Sequence, residues 1–205
     1  ECVGCDKCVF ICPYDAIKVG SFSSPQVVDS DCVGCGACQL VCPHHAIQVK
    51  GYEFENVLNR YADSAAKLKA QTNKPAVLVF ACQWSEYPGL DDPNSVLKGK
   101  NAVVLEVPCF KGLDPVHIVN ALQCGFDGVL GVICSPDDCK MQQGRDTADR
   151  NVSVMTDVLK KMNLLDRFEM VELAPRCEGK FESAFNNFYS KIVSMPLCKV
   201  NTEAN

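Results

Sequence analysis

The sequence predicts two modules in one chain: a small cysteine-rich α+β unit, then an α/β domain on a four-stranded parallel sheet. Three observations carry this expectation. Eight of the fifteen cysteines form one spaced pattern written twice within the first 42 residues. Residues 51–74 then place apolar side chains at helical spacing. From residue 75 onward, short apolar runs alternate with helical patterns, as in a parallel sheet covered on both faces. The expected boundaries are 1–50, a linker helix 51–74, the α/β domain 75–195, and a polar, loose tail 196–205.

Cys2, Cys5, Cys8 and Cys12 follow C-x2-C-x2-C-x3-C-P, and Cys32, Cys35, Cys38 and Cys42 repeat it thirty residues later. This spacing is that of proteins with two [4Fe–4S] clusters, in which the fourth cysteine of each run ligates the other run's cluster. One cluster is then expected on Cys2, Cys5, Cys8 and Cys42, the other on Cys32, Cys35, Cys38 and Cys12. A zinc reading of the CxxC pairs exists, but the third cysteine and the trailing Cys-Pro speak against it. Residues 2–19 align on 32–49 without a gap, with ten of eighteen positions identical, so the unit is an internal repeat. Each half should supply a ligand loop, a turn of helix, and a short strand at Ile17–Val19 or Ile47–Val49. Val, Ile and Leu between the ligands keep water from the sulfurs and help set the potential. His44 and His45 stand where the first half has Tyr14 and Asp15, a slot open to varied polar groups.

In the second segment Phe54, Val57, Leu58, Tyr61, Ala65 and Leu68 lie on one helical face, and Pro75 ends the pattern. Beyond it, strands are expected at Ala76–Ala81, Ala102–Val107, Gly128–Ile133 and, more weakly, Phe168–Leu173. Helices are expected near 115–124, 146–162 and 179–194. In an open α/β sheet the carboxyl ends of parallel strands share one edge, where ligands bind. Cys82, Cys109, Cys134, Cys139 and Cys177 all follow strand ends, whereas buried structural cysteines would scatter. A thiolate-rich crevice suits a small Fe–S cluster first, and zinc or a redox disulfide second. Cys82, Cys109, Cys134 and Cys139 are the candidate [2Fe–2S] ligands, with Cys177 as substitute. Cys124 reads as core, Cys198 as a bystander and His117 as a surface residue. Trp84 is placed to shield a cluster or simply to pack, and Lys111, Lys140 and Arg145 flank the crevice.

Composition narrows the function classes. The formal charge is -5, and two thiolate-bound [4Fe–4S]²⁺ centres at about −2 each would bring the loaded chain to roughly −9. No Lys/Arg run stands out, which argues against nucleic acid. Apolar stretches are strand-length, which argues against membrane insertion. An odd cysteine count in CxxC groups without a signal sequence points to the cytoplasm, with any membrane association made through partner subunits. The chain has no nucleophile–base pair, no GxGxxG and no Walker loop, so no active site of its own is evident. Cys2 is already an expected ligand, so Glu1 reads as a cut end and the chain as the C-terminal piece of a longer polypeptide.

The first module resembles two-cluster ferredoxins. Residues 76–195 resemble the delta subunit of methyl-viologen-reducing hydrogenase. That resemblance rests on Cys82–Trp84, Cys109 with Asp114-Pro115, Gly128-Val129-Leu130, Cys134–Cys139 and Glu178-Gly179-Lys180-Phe181. Where that family reads Cys-x-Trp-Cys, this chain has Ser85 as the last member, and its Cys-Ser-Gly-Arg is here Cys109-Phe110-Lys111-Gly112. The order of modules is similar to the end of flavoproteins such as the A subunit of heterodisulfide reductase. It also resembles the B subunit of the quinone-interacting membrane-bound oxidoreductase. The resemblance implies FAD in the upstream part of the parent chain. As partners it implies a flavoprotein, a membrane quinone-linked subunit, or hydrogenase and heterodisulfide reductase subunits, with adenylylsulfate reductase as a soluble end point.

Three functions fit these residues. The first is an electron-transfer module relaying single electrons between a flavin- or quinone-linked partner and a soluble redox enzyme. The second keeps the two [4Fe–4S] clusters and makes the α/β domain a clusterless docking platform. The third is a thiol–disulfide sensor using Cys134 with Cys139 or Cys177.

Overall fold

The structure is a computed structural model, and it describes residues 1–19, 24–83, 85, 96–113, 115–139, 144–173 and 179–200. The repeat is visible in the backbone. Helix α1 (Lys7–Ile11) and helix α2 (Ala37–Val41) are single short turns of five residues, each closed by the fourth cysteine of its run. The same paired positions take positive φ: Gly4 and Gly34, Asp6 and Gly36, Asp15 and His45. The two helices pack on each other.

The strands of this module depart from the expected symmetry. Strand β1 (Ile17–Lys18) pairs antiparallel with β2 (Gln26–Val27), whereas Ile47–Val49 forms no strand. The physical reason is a competitor for the backbone: Val49 N donates to the Gln39 side chain at 2.7 Å. Gln39 Nε2 in turn donates to the Tyr52 carbonyl at 2.9 Å, so α2 holds the chain leading out of the module.

The 18-residue helix α3 (Phe54–Gln71) follows. It lays Val57, Tyr61 and Ala65 against the larger core of the second module. That module has strands β3 (Val77–Cys82), β4 (Ala102–Val107), β5 (Gly128–Cys134) and β6 (Phe168–Leu173), all parallel in the order β4-β3-β5-β6. Its helices are α4 (Pro115–Gln123), α5 (Gly144–Lys161) and α6 (Lys180–Ser194). Each of the four strand expectations agrees within one residue at either end.

Alternation along β3 builds both faces. Leu78, Phe80 and Cys82 join Tyr61, Ile118, Leu122, Met155 and Leu159 on one side. Val77, Val79 and Ala81 join Phe181, Phe185, Phe188 and Ile192 on the other. Every residue of β3 and β5 is buried, which is why both read as unbroken apolar runs. At the amino end of the sheet, buried Asp127 accepts from Ala76 N at 2.9 Å and from Cys198 N at 2.7 Å. Arg167 donates to the carbonyls of Asp127 and Pro196. Residues 196–200, expected as a loose tail, are therefore tied to the sheet, and Cys198 is half-buried rather than a free bystander.

Among the described residues no helix is long and apolar enough to cross a membrane.

Candidate metal centres

Two cavities in the first module collect the repeated cysteines. One, of about 370 Å³, is lined by Cys12, Cys32, Cys35 and Cys38. The other, of about 360 Å³, is lined by Cys2, Cys5, Cys8 and Cys42. Each takes three cysteines from one run and the fourth from the other. The crossing arises because α1 and α2 lie side by side, so each trailing cysteine leaves its helix toward its neighbour's loop.

These donor sets fit a thiolate-bound cluster. All four candidate ligands at each cavity are cysteines, and apolar neighbours such as Val27 and Ile47 line both spaces. Backbone donors face the sulfur: Ala46 N lies 3.3 Å from Cys42 Sγ. Burial pushes the Cys42 thiol up, but N–H groups of His44, Ala46 and Ile47 outweigh it and leave the thiol below its ordinary value. At Cys38 burial dominates, with the charge of Cys35 adding to it, and the thiol rises to about 11. Loading a cluster there must displace a firmly held proton, since the ligand is the thiolate. Among the described residues no three His, Cys, Asp or Glu side chains are close enough to share a single metal ion.

The described α/β cysteines Cys82, Cys109, Cys134 and Cys139 follow strand ends at the carboxyl edge of the sheet. Cys82 ends β3, Cys134 ends β5, and β3 and β5 are the central pair. The chain leaves β3 toward β4 on one side and later returns to β5 on the other, so this is the topological switch point where open α/β sheets bind ligands. Cys109 follows β4, and Cys139 closes the 3-10 turn Pro136–Asp138. Cys82, Cys109 and Cys134 are buried, and Cys139 is half-buried. Of these four, Cys109 lines a described cavity, a space of only about 40 Å³ between the modules. Ser85 donates its hydroxyl to the Cys82 carbonyl at 2.7 Å. Cys177, Trp84 and Lys140 lie outside the described residues, as do the side chains of Lys111 and Arg145. Cys124 is half-buried just past α4, and burial raises its thiol.

The residues that sequence reasoning passed over are those at the junction. Gly112, in the 3-10 turn Phe110–Gly112, packs against the Cys35 loop. His117, expected on the surface, is half-buried and lines the junction cavity. Tyr14 lines the Cys12/Cys35 cavity. Burial raises its hydroxyl, and charge on Cys35, Cys109, Cys139 and Cys12 adds to the effect, so cysteines of both modules act on one ring. For Tyr14 the signal lay in the repeat, at a position where the two halves differ; Gly112 and His117 lie outside the repeat and carried no such signal.

Comparison with known proteins finds a match for each of two stretches of the chain. Residues 1–54 match the 4Fe-4S dicluster domain, and residues 77–195 match the delta subunit of methyl-viologen-reducing hydrogenase. The chain belongs to that delta-type family. It is 30% identical over 138 residues to the iron-sulfur D subunit of the vhc F420-non-reducing hydrogenase of Methanococcus voltae, across 65% of this chain and 96% of that protein. It is 31% identical over 195 residues to the A subunit of the ferredoxin/F(420)H(2)-dependent CoB-CoM heterodisulfide reductase of Methanosarcina acetivorans. That match runs across both modules, 94% of this chain, but spans only 24% of the relative's length. A third relative is the iron-sulfur D subunit of the F420-non-reducing hydrogenase of Archaeoglobus profundus, 28% identical across 58% of this chain and 89% of that protein. The delta-type domain of this chain thus follows a 4Fe-4S dicluster domain in one polypeptide.

Proposed function

We propose that the chain is a single-electron relay of a larger redox complex, with one [4Fe–4S] cluster on Cys2, Cys5, Cys8 and Cys42 and the other on Cys12, Cys32, Cys35 and Cys38. The observation that carries this is the pair of cavities, each walled by three cysteines of one repeat and the fourth of its twin. When bound, each cluster accepts and returns one electron at a time. The cysteines hold it, the N–H groups around Cys42 favour the charged thiolate, and Val27 and Ile47 give both sites apolar lining. The names of the relatives support a hydrogenase or a heterodisulfide reductase as the kind of partner, and the resemblance in module order adds a flavoprotein or a quinone-linked membrane subunit. FAD belongs to an upstream part of the parent chain, and the complex works in the cytoplasm.

A second reading adds a [2Fe–2S] centre on Cys82, Cys109, Cys134 and Cys139. Their convergence on the switch point of the sheet favours it. Iron and acid-labile sulfide on anaerobically prepared protein separate the two. About eight irons per chain match two clusters, and about ten match a third centre. Fewer than about six, with no low-temperature EPR signal on reduction, would sink the relay.

A further inference from the structure

The two cluster sites are twins in sequence but not in surroundings. In the first half the residue after the second cysteine is Asp6, followed by Lys7; in the second half the same positions hold Gly36 and Ala37. Asp6 and Gly36 share a left-handed backbone, φ 55° and 82°. The shared backbone does not itself demand glycine at position 36, since aspartate adopts it in the twin. What distinguishes Gly36 is its neighbour. A Cβ on Gly36 would lie 3.7 Å from Gly112 Cα, and one on Gly112 would lie 3.3 Å from the Cys35 carbonyl oxygen and 3.5 Å from Gly36 Cα. Two backbones meet here with no side chain between them.

The other differences follow the same line. Lys7 is exposed, whereas Ala37 is buried at 3% exposure. Cys5 is exposed and Cys35 half-buried. Val9 is replaced by Gln39, which ties α2 to Val49 and Tyr52. Tyr14 is half-buried on the Cys35 cavity, while its counterpart His44 is exposed on the other.

We propose that the α/β domain acts on one cluster site only, that of Cys12, Cys32, Cys35 and Cys38, with Gly36 and Gly112 as positioning residues that seat it there. The seated domain sets this site's reduction potential apart from its twin's. The proposal rests on the ligand sets given above. Its physical basis is that cluster potentials depend on solvent exposure and on hydrogen bonds to the sulfurs. Water stabilises the more negative reduced form, so a site that loses its cover moves to higher potential.

The test uses the full chain with both clusters loaded, and EPR-monitored redox titration. Cys5→Ser and Cys35→Ser first assign the two signals by which one each variant removes or alters. If neither variant touches a signal, the ligand sets fail, whatever Gly112 does. With the signals assigned, Gly112→Leu is expected to raise the midpoint potential of the Cys35 signal and leave the Cys5 signal in place. Gly36→Asp copies the first half into the second, a backbone that accepts aspartate, and should also shift the Cys35 signal alone. The mirror change Asp6→Gly should shift neither. Should Gly36→Asp lose iron, Gly112→Leu still decides, because it changes the α/β domain and neither loop of the repeated cysteines. Equal movement of both potentials, or movement of neither in Gly112→Leu, overturns the proposal.

Discussion

The Tyr61 ring stands edge-on to Phe80, with centroids 5.6 Å apart and planes at 70°. Phe80 lies on β3, one of the two central strands, and Tyr61 on the helix that leads out of the cysteine module, and both are fully buried. The connecting helix is thus a layer of the α/β core and not a free tether. Truncating the ring removes an edge-to-face contact and opens a void. Tyr61→Ala should cost about 3–5 kcal/mol, the range for deleting a buried aromatic. Chemical unfolding followed by far-UV dichroism gives the number. A loss under about 1 kcal/mol would mean that the helix packs without this ring.

Asp127 joins the start of β3 to the C-terminal segment through both carboxylate oxygens. Removing it leaves two backbone donors at the foot of the sheet without their acceptor. Asp127→Ala should destabilise the domain by on the order of 3 kcal/mol, given that hydrogen bonds to charged groups contribute about 1.5–3 kcal/mol each. The amide of Cys198 should lose hydrogen-exchange protection before the strands do. Retained protection at Cys198 would show that Arg167, through the Pro196 carbonyl, holds the segment by itself.

Gly131 faces the ring of Phe110: a Cβ there would lie 2.6 Å from Phe110 Cζ and 3.1 Å from Met170 Cγ. Phe110 is 2% exposed and follows Cys109 directly. The ring is buried and must shift to admit the methyl group, so Gly131→Ala should cost about 1–3 kcal/mol, as overpacked cores do. Phe110→Leu in the same chain should recover part of the loss. Equal stability of Gly131→Ala and the parent in thermal unfolding would contradict this packing.

The parts of this fold that were legible in sequence are those with a strong local period. The bounds of β4 and β6 coincide with the expected runs Ala102–Val107 and Phe168–Leu173, each followed within two residues by a proline that closes the pattern. The spacing of the cysteine runs led to the same grouping of side chains that lines the two cavities. The misread strand at Ile47–Val49 shows what local pattern leaves out. Its twin at Ile17 has nearly the same residues, yet Gln39 competes for the backbone N–H of Val49, and that contact spans ten residues of chain. The ordered segment 196–200 was missed for a similar reason. Its anchors, Asp127 and Arg167, lie far away in sequence and look like ordinary surface charges there. The Gly36–Gly112 contact was hidden because a glycine in a ligand loop already has a local explanation.

The crossed ligand sets make a prediction that simple proximity in sequence would not. Cys12 is four residues from Cys8 but shares its cavity with Cys32, Cys35 and Cys38, while Cys8 shares the other with Cys42. Cys12→Ala should therefore disturb the same EPR signal as Cys35→Ala, and Cys8→Ala the same signal as Cys42→Ala. Each variant should retain about four of eight irons if the partner cluster survives alone. A result in which Cys8→Ala and Cys12→Ala affect one signal, and Cys38→Ala and Cys42→Ala the other, would require each run to close on its own cluster. In that case each trailing cysteine would have to turn back toward its own run, away from the cavity it lines here.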